Sequence, residues 1–312
     1  MTAGKKAFRS VWTYLNRTAH TLGYVDVAGV RTRYIEAGKP QNPTLVLLHG
    51  TAGSLENFCA NYEELSQDYH VLSLDLLGCG YTDKPEFDYH IPDYAKHVLA
   101  FMDALNVEKA SLIGVSLGSW IASWIAVNHE TRVESVIAMA PAGIVVDAEE
   151  EKQFGADVRR RRSAAAAEPN WDTVTAAMGR LMLNQEDLID DLVAVRLAIY
   201  QQESMKAAMG RLLAFTSGSD FIAQDQWAGM QAPILVVASV DAKNMFLDNA
   251  YLISKMAPHS ELSEMTGCDH WPQFEQPAQF HSVALEFLGR CAGHKEGKIN
   301  ESQAIGAVDV SR

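Results

Sequence analysis

Ser111-Leu-Ile-Gly114-Val115-Ser116-Leu117-Gly118-Ser-Trp120 runs from an apolar strand pattern straight into an apolar helix pattern, with a Gly-x-Ser-x-Gly element at the junction. A tight strand-to-helix turn forces its serine into a strained backbone conformation and leaves the hydroxyl exposed. The flanking glycines let neighbouring backbone approach without a clash. The five letters alone are common by chance, and a merely structural turn serine is the competing reading. The placement between strand and helix is what gives the element weight.

Outward from this junction the same alternation continues. Short apolar runs fall at residues 44–48, 71–74, 111–115, 135–139, 233–238 and 261–265, preceded by a strand pair around residues 24–37. Helical spacing separates them: Tyr94, Val98, Phe101, Met102 and Leu105 share one face of a helix that has Pro92 in its first turn. Strands alternating with helices predict an α/β fold with a mostly parallel central sheet flanked by helices. Residues 26–142 and 226–292 are expected to form this core. Residues 143–225 carry charge and helical periodicity without a convincing strand and read as an all-helical insertion, a lid. Residues 1–25 read as a helical arm, and the polar residues 293–312 as a disordered tail.

The whole chain sets bounds on function. Its 312 residues are 48% hydrophobic and 21% charged, which suits one large folded domain with an insertion. A formal charge of −13 argues against a nucleic-acid partner, because such binding rests on clustered Lys and Arg. The one basic run, Arg159 to Arg162, reads as a solvated helix face. Cys59, Cys79, Cys268 and Cys291 lack metal-ligand spacing, so neither a zinc site nor a disulfide framework is expected. The first residues lack the apolar core of a signal peptide, and no stretch has the length of a membrane span; a cytoplasmic protein with no membrane partner is expected.

A serine hydroxyl is a poor nucleophile at neutral pH, so Ser116 needs a base, and the base needs a partner to fix its tautomer. His270 follows the apolar run 261–265 in the loop Gly267-Cys-Asp-His270-Trp271-Pro272, and Asp241 follows the run 233–238. The chain order Ser, Asp, His matches a nucleophile elbow followed by its acid and base. Asp248 is a rival for the acid. An oxyanion needs two donors. The backbone N–H of Thr51, after the strand end Leu48-His49-Gly50, and that of Leu117, after the nucleophile, are the candidates. His49 reads as a structural hydrogen-bonding residue under that turn. Ser116, His270 and the oxyanion donors supply all the chemistry, so no metal or organic cofactor is implied.

The residues HGTAG from His49, DLLGCGYTDKP from Asp75, GVSLGS from Gly114 and CDHWPQFEQP from Cys268 resemble the α/β-hydrolase superfamily over residues 29–288. Within it, His270-Trp271 with Gln273 and Glu275, and the helix sequence from Leu188 to Arg196, are most similar to the carbon–carbon bond hydrolases of aromatic ring-fission products. The resemblance implies that Arg196 meets a substrate carboxylate and that Trp271 and Gly50 line the substrate pocket. A salt bridge from Arg196 to Asp190 or Asp191 is the other reading of that arginine. Two positions depart from the subfamily: Thr51-Ala-Gly-Ser54 replaces a Ser/Gly-rich loop, and Val115 replaces an asparagine before the nucleophile. The resemblance thus implies a serine hydrolase of a small carboxylated substrate of 2-hydroxy-6-oxo-dienoate type, with carboxylic ester or lactone hydrolysis as the alternative. A slow-turnover receptor on the same fold is a further reading, and a homodimer is implied by the resemblance alone. Ser116 argues against the related enzymes that use an aspartate nucleophile.

Overall fold

The computed structural model describes residues 9–145, 147–218 and 220–305. Eight strands form one sheet: β1 His20–Val27, β2 Val30–Ala37, β3 Thr44–Leu48, β4 His70–Leu74, β5 Ala110–Val115, β6 Val133–Met139, β7 Ile234–Ser239 and β8 Ser260–Met265. The spatial order is β1-β2-β4-β3-β5-β6-β7-β8. β1 and β2 form a hairpin, β2 lies antiparallel to β4, and every pair from β4 through β8 is parallel. The six parallel strands stand where the apolar runs predict them, with ends shifted by one or two residues, whereas the hairpin expected around residues 24–37 begins earlier, at His20.

The middle strands are apolar on both faces because helices cover both. All six residues of β5 and all six of β7 are buried, as expected of a parallel sheet sandwiched between helices. The covering helices are α1 Val11–Leu15, α2 Tyr62–Leu65, α3 Ile91–Ala104 and α4 Leu117–Asn128, which precede the insertion. Between β6 and β7 come α5 Ala148–Ala167, α6 Trp171–Gly179, α7 Asp190–Tyr200, α8 Glu203–Leu212 and α9 Gln224–Ala228, with no strand among the described residues. After β7 come α10 Met245–Met256, α11 Pro272–Glu275 and α12 Pro277–Ile305.

Two expectations at the chain ends need correction. The segment read as a disordered tail from residue 293 continues the backbone of α12 as far as Ile305. Polarity does not oppose a helix when Ala, Lys, Glu and Gln supply the residues. Residues 306–312 lie outside the described residues, as do residues 1–8 of the expected N-terminal arm. The described part of that arm is helical only over α1, and from His20 on it is β1, paired with β2, so the helical reading fails for residues 20–25. The start of α1 is tied to α7, where Asp191 accepts from the Ser10 hydroxyl at 2.5 Å and from the Val11 N–H at 2.8 Å.

Parallel register brings the carboxyl ends of six strands to one edge. Leu48 pairs with Gly114 and Leu74, Val115 with Met139, and Ser239 with Met265. The loops that follow these ends carry His49 to Thr51, Asp75, Ser116, Asp241 and His270, so residues far apart in sequence converge on one edge.

Candidate active site

Ser116 joins β5 to α4 with φ 56° and ψ −118°, a conformation that side chains rarely adopt. The neighbouring glycines explain how the turn closes. A Cβ on Gly114 would strike the backbone of Gly118 and Ser119, and one on Gly118 would strike the carbonyl of Leu48. The Ser116 N–H donates to the Met139 carbonyl at 3.0 Å, fixing the turn to β6.

Opposite this elbow lies the turn after β3. His49 is fully buried; the N–H of Leu76 donates to its Nε2 at 3.0 Å, so Nδ1 carries the proton and donates to the Gly50 carbonyl at 2.7 Å. Burial pushes its pKa down to about 3, which keeps the ring neutral. His49 is therefore a strut under the turn, as its sequence context suggests. The Gly53 N–H closes the turn onto the same Gly50 carbonyl at 3.0 Å, with Ala52 at φ 53°. Among the described residues the N–H groups of Thr51 and Leu117 donate to no protein acceptor, and both residues line the same cavity as Ser116. They are free to receive a developing oxyanion.

A network beneath the turn holds it in place. Arg33 on β2 pairs with Glu56 and, at 3.4 Å, with Asp75. The fully buried Asp75 accepts from the N–H groups of Leu55 and Tyr81, each at 2.8 Å. Burial raises the Asp75 pKa and the Arg33 guanidinium opposes the rise.

His270 lies in the loop between β8 and α11, and that loop is fixed at several points. Ser239 Oγ donates to the Asp269 carbonyl at 2.7 Å, and Glu275 accepts from the N–H of Asp269 at 2.8 Å and of Leu183 at 2.7 Å. Asn244 both caps α10 and donates to the Asp269 carboxylate at 3.1 Å. The imidazole meets the Phe246 ring edge to face at 4.6 Å, and Phe246 meets Phe154 of α5 in the same way at 5.5 Å. Burial, with Arg162 and Arg161 adding to it, pushes the His270 pKa down to about 3, so the ring is a neutral proton acceptor across the neutral range.

The acid is where the structure departs from the sequence expectation. Asp241 is exposed, and its carboxylate accepts from the N–H of Gly267 at 2.7 Å rather than from the imidazole. Among the described residues no carboxylate is hydrogen-bonded to the His270 ring, and Asp248, the rival, is exposed on α10. The reason is the geometry after β7. Val240 and Asp241 form a turn in which the Ala242 N–H returns to the Ser239 carbonyl, so Ala242 faces inward and Asp241 outward.

Ser116, Leu117, Gly50, Thr51, His270, Trp271 and Arg196 all line one cavity of about 570 Å³; Asp241 does not. Trp120, stacked on Phe221 with ring centroids 4.7 Å apart, and Phe215 give it an aromatic wall. Arg196 on α7 is 2% exposed, and its Nε and Nη1 have no hydrogen-bond partner. The salt bridges considered from the sequence are not formed. Asp191 is turned to the N-terminal arm and Asp190 is exposed. Sequence reasoning also missed Arg161 and Arg162. They were expected in solvent, but both line the cavity, whereas Arg160 points outward and pairs with Asp157. Helical phase separates adjacent arginines by about 100°, and the run alone carries no sign of which one faces in.

No helix among the described residues is long and apolar enough to cross a membrane. A profile of the family described as alpha/beta hydrolase fold matches residues 43–277. The 2-hydroxy-6-oxo-6-(2'-aminophenyl)hexa-2,4-dienoic acid hydrolase of Metapseudomonas resinovorans is 28% identical over 287 residues, covering 89% of this chain and 94% of its own. The 2-hydroxymuconate semialdehyde hydrolase of Pseudomonas sp. strain CF600 is 26% identical, covering 84% of this chain and 91% of its own. Among solved structures, a serine hydrolase involved in carbazole degradation superposes with a TM-score of 0.74 at 26% identity, over 87% of this chain and 99% of its own. The chain belongs to the α/β-hydrolase fold family and is an enzyme similar to the hydrolases just named.

Proposed function

We propose that this chain is a serine hydrolase that cleaves a carbon–carbon bond in a small carboxylated ring-fission product of 2-hydroxy-6-oxo-dienoate type. The observation that carries the reading is the meeting, on one cavity, of the strained Ser116, the neutral His270 and Arg196 with its Nε and Nη1 unbonded. Arg196 binds the substrate carboxylate through charge-assisted hydrogen bonds, which places the far carbonyl between Ser116 and the N–H groups of Thr51 and Leu117. The dienol first shifts to its keto form, so that the departing carbon leaves as a stabilised carbanion. Ser116 Oγ then attacks the carbonyl while His270 accepts its proton, and the carbon–carbon bond breaks as the departing carbanion takes that proton from His270. Water, giving a proton to His270, hydrolyses the acyl-serine, the proton returning to Ser116 Oγ. Asp241 supports His270 through the loop, by its hydrogen bond to Gly267. The helices between β6 and β7 act as a lid that keeps water out of the cavity. Assembly as a homodimer and a cytoplasmic location belong to the same reading.

One observation favours ester or lactone hydrolysis as the second reading. Val115 is fully buried in β5, so the position before the nucleophile offers no amide to a dienol. The two readings share every step after carbonyl attack. Parallel assays with a coloured 2-hydroxy-6-oxo-dienoate and with short aryl esters separate them. The expected result is a higher kcat/KM on the dienoate, abolished in a folded Ser116→Ala protein. Activity confined to the esters would transfer the assignment to the second reading, and turnover persisting without Ser116 would remove both.

A further inference from the structure

The mechanism above uses one arginine, yet the cavity holds another with an unpaired face. α5 carries Arg159 to Arg162 on successive positions, and three of the four have partners on the protein. Arg159 donates to Thr216 Oγ1 at 2.7 Å, Arg160 pairs with Asp157 in solvent, and Arg161 pairs with the same Asp157 at 2.7 Å. Arg162 has no ion pair among the described residues; its Nη1 is buried without a hydrogen-bond partner, and the residue lines the cavity. Arg196, which lines the same cavity, leaves Nε and Nη1 in the same condition.

The two guanidiniums lie within electrostatic reach of each other, since Arg162 is among the charges that act on Arg196, and it also acts on His270. The cavity's own carboxylates do not neutralise them. Asp157 is taken by Arg160 and Arg161, and Asp269 accepts from Asn244. Glu150 is exposed at the start of α5, and burial holds Glu151 up to about 7. Two like charges facing one poorly solvated space repel each other and forgo hydrogen bonds, a cost a folded protein carries only when something offsets it. One carboxylate satisfies one such guanidinium in a bidentate fork and leaves the second unmatched.

We propose that Arg162 is a second anion-binding residue and that the cavity takes a dianion, a compact dicarboxylic acid with one carboxylate at Arg196 and the other at Arg162. This rests on the proposed function in assuming that the cavity is the substrate site, and it specifies the substrate's charge. Arg162, Arg196 and His270 line the same cavity, so both carboxylates are held in the space that Ser116 faces.

Calorimetric titration with chain-matched acids that the enzyme cannot cleave tests this: adipate against hexanoate, and glutarate against valerate. The dicarboxylates are expected to bind about ten- to a hundredfold more tightly than their monocarboxylate partners, the range given by one charged hydrogen-bond set. Arg162→Gln should remove that ratio while leaving the monocarboxylate affinity in place, and Arg162→Lys should keep part of it. Arg196→Gln should weaken both acids. Thermal melting of each variant establishes that it is folded. Equal affinity of mono- and dicarboxylate for the unaltered protein would overturn the proposal, and so would an undiminished ratio in Arg162→Gln. Because the readout is binding rather than turnover, a dicarboxylate preference in a protein that hydrolyses nothing would sink the proposed reaction and leave this inference standing.

Discussion

Arg33 and Arg196 are both buried arginines near the turn that follows β3, at 5% and 2% exposure, and they live under opposite rules. Arg33, beneath the turn, has Glu56 and Asp75 as counter-charges, and its guanidinium lies 4.7 Å from the centroid of the Tyr81 ring. Arg196 pairs with no carboxylate among the described residues; Tyr200 is the neighbour that most favours its charge, with its ring centroid 5.7 Å from the guanidinium. Desolvation opposes both charges, but the neighbouring carboxylates reverse its effect at Arg33, whose pKa rises, whereas that of Arg196 falls. The first arrangement has its counter-charges within the protein and serves the fold, although Arg33 Nε, 3.4 Å from the Asp75 carboxylate, makes no hydrogen bond. The second leaves Nε and Nη1 without a partner, and under the proposed function a substrate carboxylate completes it.

The largest effect expected from this contrast is on the fold side. Asp75→Asn removes the carboxylate from a network in which Arg33 stays buried, and it weakens the acceptors of the Leu55 and Tyr81 N–H groups. Breaking a buried pair on one side costs about 3–5 kcal/mol. Urea unfolding should show a loss of that size, with the turn that presents Thr51 loosened as well. A loss under about 1 kcal/mol, the value of an exposed pair, would mean that the network is solvated and the contrast false.

Arg196→Met should do the reverse. Removing an unpaired buried charge and filling its space with an apolar chain should leave the midpoint of unfolding unchanged or higher. kcat/KM for a carboxylated substrate should fall about ten- to a hundredfold, while a neutral aryl ester is spared. A drop in stability comparable with that of Asp75→Asn would show Arg196 to be a structural residue, and the distinction between the two arginines would collapse.

The residues that were legible from sequence are those fixed by strand ends. Gly114 to Gly118, His49 to Thr51 and Gly267 to Trp271 each follow an apolar run directly, and parallel register then forces them to one edge whatever the details of packing. What was not legible depends on phase. Whether Arg160 or Arg162 faces the cavity is decided by the rotation of α5, which is set by its packing against the segment near Thr216. Asp241 shows the same limit at a strand end. Its place in the chain was readable, but one residue of turn decides whether it or Ala242 faces inward.

That turn carries the smallest effect expected here. The Asp241 carboxylate holds the N–H of Gly267, a residue at φ 74°, while Gln276 Nε2 holds the Gly267 carbonyl at 2.9 Å. Ser239 and Glu275 fix Asp269 one residue before the base. Asp241 is therefore one of several anchors on the His270 loop, with Gln276, Ser239, Glu275, Asn244 and the Leu181 carbonyl, and an exposed one. Asparagine at this position retains an oxygen that accepts from the Gly267 N–H, so Asp241→Asn should keep kcat within about tenfold of the parent, and Asp241→Ala, which loses the acceptor, should fall further. An acid bonded directly to the imidazole behaves otherwise, because its replacement by Asn inverts the ring's tautomer and costs about 10⁴-fold. Single-turnover rates of the two variants decide between these outcomes. A loss of the larger size in Asp241→Asn, with the fold retained, would mean that the carboxylate leaves Gly267 and reaches His270 when substrate is bound.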